Sequence, residues 1–121
     1  MIDAGTLYTR AGFAGERGPR ATFPTVVARA KVQGALEGGR DVAVGAAALA
    51  QSAIASLKVP VAPGGRVTAW DGMTSIWRHA FYGPLGASPD EHSVLLLDAG
   101  LPGDRERALQ VRAAALGAKV Q

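Results

Sequence analysis

The sequence has 121 residues, 48% hydrophobic and 19% charged, so it encodes one globular domain rather than a disordered chain. It contains no cysteine, which excludes disulfides, thiol catalysis and cysteine zinc sites. The formal charge is only +3, its basic residues are scattered rather than interleaved with aromatics, and no apolar run nears the ~20 residues of a membrane span, so neither a nucleic-acid nor a membrane partner is expected.

Met1-Ile2-Asp3 opens without a charged or apolar leader, so a cytoplasmic protein is expected. Leu7 to Phe13 alternates loosely after Gly5 and predicts a strand leaving a tight turn. Thr22 to Val27 predicts a second strand, and Pro24 within it argues for a sheet edge or a strand end. Lys31 to Arg40 is glycine-rich and polar and reads as a loop, followed by a short strand at Asp41 to Val44 and a short helix at Ala46 to Ser52.

The clearest helix spans about Ala69 to Tyr82. Thr68 is its expected N-cap, with Asp71 three residues later, and Trp70, Met73, Ile76 or Trp77, and Ala80 or Phe81 form one apolar stripe. Ser88-Pro89-Asp90-Glu91 carries a second helix-start signal, and Val94 to Leu97 reads as a buried strand. Asp104 to Leu116 predicts a last helix, stopped at Gly117. The succession of elements is that of an α/β domain covering residues 1–121. The 16 glycines and the alanine runs predict a core of small side chains and a modest stability.

Asp3-Ala4-Gly5-Thr6 is the first candidate site. A phosphate-gripping turn needs glycine so that backbone N–H groups can approach the phosphate oxygens. A hydroxyl can donate to the terminal phosphate, a carboxylate can hold magnesium through its waters, and Arg10 can offset the remaining charge. The same tetrapeptide also suits an ordinary β-turn. Ala11-Gly12-Phe13-Ala14-Gly15 with Pro19-Arg20-Ala21 and Phe23-Pro24 reads as a strand, a turn and a returning strand. The aromatics of Trp70 to Tyr82 read as core, and His79 and His92 as structural residues without the partners of a metal site or a catalytic dyad.

Taken together these segments resemble actin. Asp3-Ala4-Gly5-Thr6 through Pro19-Arg20-Ala21-Thr22-Phe23-Pro24 is similar to the family's first phosphate loop and the strands after it. Val44-Gly45, Gln51-Ser52 and Leu57-Lys58 with Pro60 resemble the segment that follows. Val67-Thr68-Ala69-Trp70-Asp71 through Phe81-Tyr82 resembles the first long helix, and Pro89-Asp90-Glu91-His92 with Val94-Leu95-Leu96 the turn and strand beyond it. The resemblance is collinear over essentially the whole chain and corresponds to the N-terminal part of the family.

The resemblance implies a ribonuclease-H-like, actin-type α/β lobe with a mixed sheet and flanking helices, one of two lobes that close around Mg-ATP. It places Asp3 near the metal, gives Gly5 the shaping of the loop, and sets Thr6 before the γ-phosphate. Leu7 stands where the family has glycine, and Arg10 where it usually has lysine. It further implies a cytoskeletal protein with actin-binding or actin-like partners. The stretch from about Ala30 to Asp41 is a poor match to the family, which uses this loop between subunits of its filament. A stand-alone interaction module on the same scaffold, without nucleotide chemistry, is the second expectation. An ATP-hydrolysing enzyme ranks last, because no residue that would orient water is present.

Overall fold

The computed structural model describes residues 1–97 and 99–101, so the helix expected over 104–116 and its stop at Gly117 lie outside the described residues. Two sheets carry the α/β fold. Strands β1 (Ile2–Ala4), β2 (Tyr8–Ala11) and β3 (Ala21–Pro24) form an antiparallel meander, and β7 (Leu96–Leu97) adds parallel to β1, giving the order β3-β2-β1-β7. The smaller sheet is antiparallel, with β4 (Val27–Ala30) between β5 (Val42–Val44) and β6 (Ala55–Lys58). Among the described residues no helix is long and apolar enough to cross a membrane.

The strand expected over 22–27 is two strands in two sheets. Pro24 closes β3, which is an edge strand, as its missing N–H requires. Thr25 and Val26 then carry the chain across to β4 in the smaller sheet. β1 is only three residues long but is hydrogen-bonded on both sides, to β2 and β7, so it is central in its sheet.

Strand alternation divides the larger sheet into two faces. Ile2, Thr9, Ala11 and Phe23 point into the core, while Asp3, Tyr8, Arg10 and Thr22 point away from it. The inner face packs on α2 (Trp70–Ala80), whose Met73, Ile76, Trp77 and Ala80 are buried, and on Phe81, Leu85 and Val94. The stripe read from the sequence is this buried face, and each large apolar side chain in it contributes about 1.5–3 kcal/mol by removal from water.

The start of α2 corrects the expected cap. Ala69 is the N-cap and no side chain bonds there; Thr68 instead donates its backbone N–H (2.8 Å) and its hydroxyl (3.3 Å) to the Pro60 carbonyl. Thr68 is held by the preceding hairpin, and Asp71 pairs with Arg29 at 2.8 Å, so neither is left to form a capping box. The helix runs on through one π turn at Phe81–Leu85, which contains Pro84 and ends at Gly86. Proline supplies no N–H to an α-helical ladder, which accounts for the wider turn.

Two further expectations change form. Ser88-Pro89-Asp90-Glu91 produces a single 3-10 turn at Pro89–Glu91, in which the Ser88 hydroxyl bonds the Asp90 carboxylate. That hydroxyl, the first among several hydrogen bonds, holds the Asp90 carboxyl below its ordinary pKa. Val94 to Leu97 is not buried throughout: Val94 and Leu96 face the core while Leu95 and Leu97 are half exposed. The short helix near 46–52 forms α1 (Ala46–Ala50).

Candidate functional site

The hairpin joining β1 to β2 holds every residue of the sequence-derived site. Three ladder pairs, Ile2 with Ala11, Asp3 with Arg10 and Ala4 with Thr9, fix its register. Cross-strand neighbours share a face, so Asp3 and Arg10 stand side by side on the open face of the sheet. Their charged groups are 3.9 Å apart, with the Asp3 side chain 45% and the Arg10 side chain 55% exposed. A pair this open has little energetic weight of its own, and both groups stay hydrated.

Gly5 closes the hairpin, donating its N–H to the Tyr8 carbonyl at 3.0 Å. A Cβ on Gly5 would come within 3.1 Å of that same carbonyl oxygen, so a side chain there would require the turn to give by a few tenths of an ångström. The Thr6 hydroxyl donates to the Ala62 carbonyl at 2.9 Å. Leu7 accepts the Thr25 N–H on its carbonyl (2.9 Å) and extends its side chain outward, 75% exposed. Asp3 with Arg10 and Gly5 with Thr6 and Leu7 thus form two adjoining groups, one on the sheet face and one at the turn.

Ala62 belongs to a second small hairpin. Val61 and Val67 pair, Ala62 donates to Arg66 (2.8 Å), and Gly65 donates back to Ala62 (3.0 Å). That this hairpin meets Thr6 is not legible from local pattern, because the contact spans 56 residues and uses a backbone oxygen. The segment also holds Pro63, Gly64 and Gly65, a turn signature, and that composition alone marks it as a loop.

Asp3 and Arg10 open onto a cleft of about 300 Å³, walled also by Phe13, Glu16, Arg17 and Leu97. Arg20 lies over the Phe13 ring, 4.5 Å from its centre, and is bonded to Glu16 four residues before it. The charged run after Gly15 is the sequence signal for this wall, although its glycines and alanines read as scaffold. The remaining sequence-derived histidines have structural settings. His79 meets the Phe23 ring edge-on at 4.8 Å, and His92 Nδ1 lies 2.8 Å from the Ser88 carbonyl oxygen.

Chemically, the hairpin offers a hydrated carboxylate, an adjacent guanidinium and a tight glycine turn with a hydroxyl. That set can hold a hydrated divalent cation and an anionic group beside it. A family model described as Actin matches residues 1–114 of the chain.

Proposed function

Because this chain belongs to the actin family, we propose that it is an actin-like cytoskeletal protein whose ribonuclease-H-like lobe contributes one wall of a Mg-ATP site. The observation that carries the reading is the pairing of Asp3 with Arg10 on adjacent strands, 3.9 Å apart, at the foot of the Gly5 turn.

The residues present fit the cofactor. The half-exposed Asp3 carboxylate has not been stripped of water, so it can receive the water ligands of magnesium. Arg10 adds a fork of donors for a phosphate oxygen. The Gly5 turn keeps backbone close to the same space, and Thr6 would donate to the terminal phosphate on leaving the Ala62 carbonyl. Magnesium, when bound, supplies charge neutralisation of the phosphates. The partner class that accompanies this reading is actin-like or actin-binding proteins, in the cytoplasm and its cytoskeleton. The reading is one of binding rather than catalysis, because no residue of the hairpin is set to activate water.

A second reading, an interaction module without nucleotide chemistry, is favoured by two features of the turn. The Thr6 hydroxyl is engaged within the protein, and the Leu7 side chain stands out from the turn that a phosphate must approach. Calorimetric titration of the chain, of Leu7→Gly and of Asp3→Asn with Mg-ATP separates the two. The proposed function predicts measurable binding that strengthens in Leu7→Gly and disappears in Asp3→Asn. No binding in any of the three would favour the module, or would mean that the wall supplied by the second lobe is indispensable.

A further inference from the structure

Residues 31–40 are a polar, glycine-rich stretch in which nine residues are exposed and one, Leu36, is 2% exposed. Leu36 sits in a small cluster with Val26, Ala28, Ala43, Ala48 and Ala55, supplied by β4, β5, β6, α1 and the β3–β4 crossover. It is the largest side chain there, in a cluster otherwise made of one valine and four alanines. A slot lined by methyl groups has no other atoms with which to fill the space, so its packing rests on Leu36.

The backbone is shaped to deliver that side chain. Leu36 N–H donates to the Arg40 carbonyl at 3.1 Å and Gly39 N–H returns to the Leu36 carbonyl at 2.9 Å. Gly34, Gly38 and Gly39 flank the anchor with φ of 71°, 75° and 71°, a region side chains rarely adopt. Two side chains then clamp the stretch from outside. Asp41 Oδ1 accepts the Gly34 N–H (2.6 Å), and Gln51 Oε1 accepts the Glu37 N–H (2.7 Å) while its Nε2 donates to the Ala47 carbonyl (3.1 Å). Both clamps are exposed and compete with water, so each adds a smaller hold beside the burial of Leu36.

We propose that residues 31–40 are a self-anchored strap, closed over the smaller sheet by insertion of Leu36 into its own alanine-lined slot. The strap is an intramolecular contact that withholds Leu36 from other polypeptides while leaving Val32 exposed. Any partner that engages this stretch as an extended arm must first unseat Leu36. The inference is independent of nucleotide binding.

Limited trypsin digestion of the full chain tests it, reading cleavage after Lys31 and Arg40 against cleavage after Arg17 in the same digest. Cleavage of a closed segment follows the population of its open form. Leu36→Ala is expected to speed cleavage after Lys31 and Arg40 roughly tenfold or more, with Leu36→Met close to the wild type. Cleavage after Arg17 is expected to stay unchanged. Wild-type cleavage in the strap as fast as in Leu36→Ala would overturn the proposal. Should Leu36→Ala loosen both segments together, Gln51→Ala decides. A rise of about threefold confined to the strap supports the closed form, and no change after Lys31 or Arg40 overturns it.

Discussion

Thr9 and Thr25 meet inside the protein with their hydroxyl oxygens 2.9 Å apart, both side chains sealed from solvent. One hydroxyl donates to the other, which is why two polar residues are tolerated in an apolar core. Thr9→Val leaves the Thr25 hydroxyl buried without this partner and is expected to cost about 1–3 kcal/mol, whereas Thr9→Val with Thr25→Val should fall close to the wild type. Urea unfolding of the three variants checks this, and equal losses in the single and double variants would contradict it. His79 is a second residue whose setting has a measurable consequence. Burial against Phe23 lowers its pKa below the ordinary 6.5, because the charged ring is harder to accommodate than the neutral one. Below 6.5 the unfolded chain takes up this proton before the folded one does. Stability therefore falls as pH drops from 6.5 toward the folded-state value and levels off beneath it. Melting temperatures at pH 7.5 and 5.5 should differ more for the wild type than for His79→Gln, and identical differences would argue against an imidazole desolvated by its half-buried setting.

Helix α2 is the element most plainly written in the sequence, because Met73, Ile76, Trp77 and Ala80 repeat at helical spacing and become its buried face. Its cap was not legible: Thr68 has the right chemistry, but the Pro60 carbonyl, eight residues back, claims it. The strand pattern shows the same divide. Pro24 announced the end of β3 locally, yet nothing local says that Thr25 and Val26 lead into another sheet. β6 escaped notice because it is only four residues long and three of them, Ser56, Leu57 and Lys58, are exposed, so its apolar-polar alternation is too brief to read. Leu36 was hidden for the opposite reason, as one apolar residue among glycines whose slot is assembled from distant alanines. Ile76 is fully buried where α2 meets the larger sheet. Ile76→Ala is expected to cost about 2–5 kcal/mol, since the surrounding strands cannot fully close over the space. Arg29→Ala, which breaks the exposed pair with Asp71, is expected to cost under about 1 kcal/mol. Chemical denaturation followed by circular dichroism should show this wide gap between the two variants, and comparable losses would contradict the assigned packing.

The two sheets share α2 as a common support: the larger one buries its inner face on the helix, and the smaller one adds Val27 and Val44 to the same core, with Arg29 paired to Asp71 at its exposed edge. This arrangement leaves the outer face of the larger sheet, with Asp3 and Arg10, free to line a cleft. The chemistry of that hairpin was legible because it rests on neighbours in sequence: a carboxylate, a glycine turn, a hydroxyl and a cation within eight residues. The hydrogen bond from Thr6 to Ala62 was not, since it depends on how two distant hairpins come together. The Mg-ATP site proposed above places Asp3, Gly5, Thr6 and Arg10 on one hairpin. Two-dimensional amide NMR of the chain, titrated with Mg-ATP and repeated on Asp3→Asn, measures this at the residues concerned. The proposed function predicts saturable shifts confined to residues 3–10 and the Ala62 hairpin, absent from Asp3→Asn. An unchanged spectrum over residues 3–10 at millimolar Mg-ATP, or identical shifts in Asp3→Asn, would contradict it.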